Sequence, residues 1–272
     1  AEAQFELALL YFNGTGVSKN YNEAFKWFTK AANQGYSRAQ YDLGVMYEYG
    51  LHVKKDYNKA FSWYKKASKN GYVNAQFDLA VLLYKGKGVK KDTKEALKWF
   101  IKASKQGYSK AQFEVALLYF NGIIVEKNYS KALTLFRKLA SKDFVPAQFN
   151  LGVIHEKGIA VQQDFKKSLH WYTKAASKNY SLAQYNIGIL YQKGLGVTKD
   201  NITAAEWIEQ AANNNLPLAQ FSLGQMYLAG IGVGIDKQKA AILIKKSYEN
   251  GYLKAKEVWD KHELWQFYNQ KK

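Results

Sequence analysis

Cysteine is absent from this chain and proline occurs only twice in 272 residues. Without cysteine there is neither a disulfide framework nor a thiolate metal site, and no redox compartment is marked. No apolar run approaches the roughly 18 residues that a membrane-spanning helix needs, and no charged-then-apolar leader precedes Ala1. Acidic residues are also scarce: 22 Asp and Glu face 40 Lys and Arg, a formal charge of +18. Such a balance raises the question of a nucleic-acid or anionic-surface partner, which only the placement of the lysines can answer.

What is present is a repeat. An Ala-Gln pair begins at Ala3, Ala39, Ala75, Ala111, Ala147, Ala183 and Ala219, always 36 residues apart and without an insertion. Self-similarity at this period marks stacked supersecondary units that bury their apolar faces against neighbours, so a solenoid is expected, one elongated domain with a continuous core. The chain starts inside a repeat, at Ala1-Glu2-Ala3-Gln4 and without Met. It is therefore read as part of a longer or processed product. A removed N-terminal segment would be the place for an export signal to the periplasm or the exterior, and the compartment stays open.

Each unit predicts two helices. Counting from the repeat alanine, an aromatic stands at the second place, Leu, Val or Ile at the fourth, Gly or Ala at the fifth and Tyr in most copies at the eighth. Ala3, Leu7 and Tyr11 share one face of a first helix. The small fifth residue (Ala8, Gly44, Ala80 in the first copies) is read as room for another helix. Gly14, Gly50, Gly86, Gly122, Gly158, Gly194 and Gly230 end the first helices as left-handed caps. Asn20, Asp56, Asp92, Asn128, Asp164, Asp200 and Asp236 then cap the second. A Trp recurs there at Trp27, Trp63, Trp99, Trp171 and Trp207 and is read as core, with truncation to Ala costing roughly 3 to 5 kcal/mol. Gly35, Gly71, Gly107, Asn179 and Gly251 turn the chain into the next unit, and Pro146 and Pro217 fall at first-helix starts.

The pattern A-Q-F/Y-x-L-G/A-x-x-Y-x-x-G-x-x-V, followed by A-x-x-W-F/Y-x-x-A-x-x-x-G, closely resembles the Sel-one-like repeat, a relative of the tetratricopeptide repeat with a slightly longer unit. Seven copies, at about 1–36, 37–72, 73–108, 109–144, 145–180, 181–216 and 217–252, carry the resemblance, and 253–272 reads as a C-terminal capping helix. The resemblance implies an all-α fold: an α-solenoid, a right-handed superhelix of antiparallel helix pairs. It also implies a scaffold or adaptor, as in degradation complexes of the endoplasmic reticulum, bacterial envelope proteins and secreted factors of pathogens. The cysteine-rich secreted branch of the family is excluded, because this chain has no Cys. At the end, the sequence from Leu253 to Gln270 is read as one longer helix closing the core with Trp259, Leu264 and Trp265.

Catalytic chemistry has no foothold. His52, His155, His170 and His262 lie in different repeats without HExxH spacing. Gly86-Lys87-Gly88-Val89-Lys90-Lys91 lacks the ending of a phosphate loop and is a turn shared by every repeat, and no GxSxG elbow occurs. No enzyme and no cofactor is expected.

Binding is expected on the first helices, which line the concave side in a tetratricopeptide-like superhelix. The third column reads Glu6, Asp42, Asp78, Glu114, Asn150, Asn186, Ser222, acidic in the first four copies. The ninth reads Phe12, Glu48, Tyr84, Phe120, Glu156, Gln192, Leu228, and the tenth Asn13, Tyr49, Lys85, Asn121, Lys157, Lys193, Ala229. Asn and exposed aromatic side chains there would clamp an extended peptide of a protein partner. The sixth column, Leu9, Val45, Val81, Leu117, Val153 and Ile189, is apolar and is read as joining neighbouring first helices. A second reading uses the lysine stripe Lys30, Lys66, Lys102, Lys138, Lys174 and Lys246, on the convex side, to hold nucleic acid or an anionic surface; it ranks lower because no aromatic-lined groove interleaves with it. A third, a hydrolase, has only relatives to recommend it. Partner identity and oligomeric state are not legible.

Overall fold

A computed structural model describes residues 1–268. The described residues form helices and turns only. First helices are α1 (Glu2–Asn13), α3 (Ser37–Tyr49), α5 (Val73–Lys85), α7 (Ser109–Asn121), α9 (Val145–Lys157), α11 (Ser181–Lys193) and α13 (Pro217–Ala229). Second helices are α2 (Tyr21–Asn33), α4 (Tyr57–Lys69), α6 (Thr93–Lys105), α8 (Tyr129–Ala140), α10 (Phe165–Ala176), α12 (Asn201–Asn213) and α14 (Lys237–Glu249). After them come α15 (Lys254–Lys261) and α16 (Trp265–Tyr268). The chain divides into two compact units, Ala1–Leu135 and the part from Phe136 onward, with the division inside α8.

The helix ends follow local chemistry. Asn20 and Asp56 each accept two backbone N–H groups of the next helix, Asn22 and Glu23 in one case and Asn58 and Lys59 in the other, at 2.9 to 3.1 Å. Gly14, Gly50 and Gly86 close α1, α3 and α5 with φ between +68° and +74°, where a side chain would strain the backbone. Pro146 and Pro217 sit in the first turns of α9 and α13, where the missing N–H is harmless.

Two buried columns hold the helices together. One is apolar: Phe28, Tyr64, Phe100, Tyr172, Ile208 and Ile244 on the second helices are 0 to 3% exposed. The Trp one residue earlier is only half-buried, so the reading of Trp as core holds for part of its side chain and the residue after it lies deeper. The other is polar and went unread in the sequence: the Gln of the Ala-Gln pair. Gln40 Nε2 donates to the Ala32 carbonyl at 3.0 Å, and its Oε1 accepts from Asn70 Nδ2 at 3.1 Å. Gln220 does the same with Ala212 at 3.2 Å and Asn250 at 3.0 Å. Each such Gln ties three consecutive segments by satisfied buried bonds, and loss of one partner leaves the other unpaired out of water. In Gln112 and Gln148 the Oε1 has no partner among the described residues; the residue 30 places after Gln148 is Lys178, which offers no planar amide.

The C-terminal segment departs from the expected single helix. Glu263, with φ of +49°, breaks it between α15 and α16. Leu264 is fully buried against Ala241, Ile244 and Ala255, and Trp259 packs on that cluster, whereas Trp265 is 47% exposed. The part of the expected helix beyond Tyr268 lies outside the described residues.

Candidate functional site

The three columns expected to bind are not equivalent. The tenth is exposed throughout: Asn13, Tyr49, Lys85, Asn121, Lys157 and Lys193 all face solvent, Tyr49 at 65%. Glu6 of the third column is exposed, while Asp42, Asp78, Glu114, Asn150 and Asn186 are half-buried. The ninth column is half-buried in every repeat. Phe12, Tyr84 and Phe120 are therefore not the exposed aromatics expected from the sequence. Phe12 packs edge-on to Tyr21 and Phe28, and Phe120 packs edge-on to Tyr129 with ring centres 5.2 Å apart. Their aromatic character is accounted for by packing.

The ninth column also answers to the second helix. Where the buried column holds Tyr, the ninth position is Glu: the Tyr64 hydroxyl donates to Glu48 Oε2 at 2.7 Å, and the Tyr172 hydroxyl to Glu156 Oε2 at 2.5 Å. Burial, then the Glu carboxylate, pushes both phenols above the ordinary tyrosine range, so they remain neutral donors. In the same two repeats the fifth position is Gly, and a Cβ on Gly44 or Gly152 would overlap the ring of Tyr64 or Tyr172. In these two repeats the glycine makes room for one ring, whereas at Gly188 and Gly224 a Cβ would also meet the backbone of the second helix, at Ala204 and Ala240. Repeats one and three instead combine Ala8 with Phe28 and Phe12, and Ala80 with Phe100 and Tyr84. Glu48 and Glu156 are engaged within the protein.

Between consecutive first helices lie cavities lined by the same columns. One, of about 170 Å³, is walled by Leu9 and Phe12 of α1, Asp42, Val45 and Met46 of α3, Phe28, and Leu51. A second, of about 150 Å³, is walled by Tyr84 of α5, Glu114, Leu117, Leu118 and Asn121 of α7, Phe100, and Ile123. In the second unit a larger cavity of about 600 Å³ lies among α11, α13 and α15, with Ile189, Gln192, Ser222, Leu228 and Lys261 in its wall. The residue after the capping glycine, Leu51, Ile123 or Ile231, lines all three and is 38 to 42% exposed. Its apolar identity in most repeats was the available sign, hidden because turns are read for their glycines.

The acids differ in their partners. Tyr41 donates its hydroxyl to Asp78 Oδ2 at 2.9 Å, a bond between neighbouring repeats that recurs as Tyr185 with Ser222 at 3.2 Å. Burial pushes the carboxyl of Asp78 up to about 6, against the pull of the Tyr41 bond. Burial likewise pushes Asp42 up to about 6, offset in part by Arg38, and raises Glu114, offset in part by Lys85. Neither Asp42 nor Glu114 accepts a hydrogen bond or closes an ion pair among the described residues.

On the second helices the lysine stripe runs beside the tryptophan column. Lys30 lies 4.0 Å from the ring centre of Trp27, Lys66 4.0 Å from Trp63, Lys102 4.9 Å from Trp99 and Lys174 5.0 Å from Trp171. Each ammonium covers the outer face of a half-buried indole, which accounts for the Trp as a seat for lysine as well as a core wall. Among the described residues no group of three or more His, Asp or Glu side chains is placed to hold a metal, and no helix is long and apolar enough to cross a membrane.

Comparison with known proteins agrees with this construction. The Sel1 repeat matches residues 1–36, 37–72, 73–108, 109–144, 145–180, 181–216 and 217–252. A protective antigen of uropathogenic Escherichia coli with an SLR fold is similar over 93% of this chain at 35% identity and a TM-score of 0.82; the chain spans 54% of that protein. A Sel1 repeat protein from Oxalobacter formigenes is similar over 96% of this chain and 76% of its own, at 36% identity and a TM-score of 0.82. No curated protein sequence matches the chain. Sel1 repeat proteins are in general protein-interaction scaffolds, and their fold is typically non-enzymatic. With its capped helix pairs, its buried glutamine column and seven matched repeats, this chain belongs to the Sel1 repeat family.

Proposed function

We propose that the chain is a non-enzymatic interaction scaffold that binds a segment of a protein partner along its first helices. One observation carries the reading: a cavity with the same columns in its wall recurs between α1 and α3 and between α5 and α7, and a larger one opens between α11 and α13. Side-chain pockets that recur two repeats apart in the first unit, on a face that carries the exposed tenth column, are what an extended segment needs for anchors and register. Similarity to a protective antigen of pathogenic strains supports a bacterial origin and a role in contact with host proteins.

The test is capture of partners from nuclease-treated lysate by the intact chain and by a variant with Val45→Arg and Leu117→Arg, which fills the two smaller cavities. A partner held by the first and lost by the still-helical second supports the reading; partners indifferent to both substitutions overturn it. A second reading, a polyanion on the Lys30–Trp27, Lys66–Trp63 and Lys102–Trp99 row, rests on those stacked ammonium groups. Its sign is an affinity that falls steeply with salt.

A further inference from the structure

The two small cavities of the first unit are equivalent in more than shape. They stand two repeats apart, and each presents a third-column carboxylate, Asp42 or Glu114, to an apolar wall. At about 170 and 150 Å³ they fall below the roughly 300 Å³ of a small-molecule site and suit single side chains. Between them, Asp78 is engaged by Tyr41, and Glu48 by Tyr64. The protein therefore supplies donors to the acids it uses internally. It leaves Asp42 and Glu114 half out of water with no donor, although Arg38 and Lys85 lie near enough to favour their charge. A half-buried carboxylate without a partner costs stability, and burial raises the proton affinity of both. A cation brought by a ligand restores what is missing.

We propose that the segment bound by the first unit is basic: an extended peptide that places an aliphatic side chain in each small cavity and a neighbouring Lys or Arg on Asp42 and on Glu114. This rests on the first-helix reading above and adds the chemistry of the occupant. Charge complementarity selects it locally, within a chain that is otherwise strongly cationic. At physiological salt, exposed charges farther than about 8 Å are largely screened, so the field at each cavity is set by its carboxylate, which Arg38 or Lys85 offsets only in part. Register follows as well. Packed neighbouring helices lie about 10 Å apart, so two repeats span roughly 20 Å, which an extended chain covers in about six residues.

The experiment is selection of displayed random peptides, each about 16 residues long so as to span both cavities, on the intact chain near neutral pH. Selected peptides are then resynthesised and their affinities compared between the intact chain and two variants. One variant is Asp42→Asn with Glu114→Gln, which removes charge while keeping shape; the other is Val45→Arg with Leu117→Arg. Expected are sequences with two aliphatic-plus-basic pairs about six residues apart, bound at least tenfold more weakly by the first variant and lost by the second. Selected sequences that need Val45 and Leu117 but carry no basic residue, or that bind the Asn/Gln variant equally well, overturn this inference and leave the first-helix scaffold standing. Selection that yields nothing dependent on Val45 and Leu117 overturns both.

Discussion

Asp42 shows at the scale of one residue what the first-helix face gives up in stability. Its carboxyl, ordinarily near 3.8, is pushed up to about 6 by burial, which Arg38 only partly offsets. Below about pH 3 both folded and unfolded chains hold the proton and the group is neutral to stability. As the pH rises towards 6 the unfolded chain has released its proton while the folded chain still holds it, so stability falls across that window. Above it the full cost applies, on the order of 3 kcal/mol. Asp42→Asn removes the charge and fits the same space. The expected outcome is a variant more stable than the parent at pH 7 and equal to it at about pH 3, measured by urea unfolding at both. An Asn variant less stable at both pH values would mean that the carboxylate has a partner and is not held open for a ligand.

At the scale of helix pairs, the sequence shows boundaries better than pairings. Capping is local chemistry, and Asn20, Asp56 and Gly50 stand where their side chains or their lack of one act, so helix ends were legible from residue type. Trp63 and Tyr64 are neighbours on one apolar stripe, and periodicity does not say which of the two points inward; Lys66 over the indole and Glu48 on the phenol decide it. The break at Glu263 was illegible because a non-glycine residue takes a positive φ there for the sake of burying Leu264. The first-helix columns were placed on the right helices, but their burial was not, since it depends on the neighbouring repeat. The coupling of Gly44, Glu48 and Tyr64 makes a sharp prediction. Gly44→Ala alone drives a methyl into the Tyr64 ring and is expected to cost about 1 to 3 kcal/mol. The triple change Gly44→Ala, Glu48→Tyr, Tyr64→Phe copies Ala80, Tyr84 and Phe100 of the next repeat, and is expected to recover most of that loss. Additive losses in thermal unfolding would refute the coupling.

At the scale of the whole molecule the governing quantity is a charge of +18. Among the described residues six ion pairs join residues three or four apart, Lys26 with Glu23 and Lys256 with Asp260 among them, and all involve exposed side chains. Such local exposed pairs are worth a few tenths of a kcal/mol each, so salt removes little by screening them. Repulsion among the unmatched lysines opposes folding and is screened by the same salt. Added sodium chloride, from about 20 to about 300 mM, spanning the range over which the Debye length shortens from about 20 Å to about 6 Å, is therefore expected to raise the melting temperature. Replacing Lys54, Lys55, Lys90 and Lys91 by Gln should raise the low-salt value and flatten the slope. A melting temperature that falls with salt would show that ion pairs outweigh repulsion. The same titration decides the fate of the tryptophan–lysine row. If polyuridylate binds there, it supplies the missing countercharge, stabilises the fold most at low salt, and loses that effect as salt displaces it. If the salt profile is unchanged by polyuridylate, the row is a set of indoles sheathed by their own lysines, and binding belongs to the first helices.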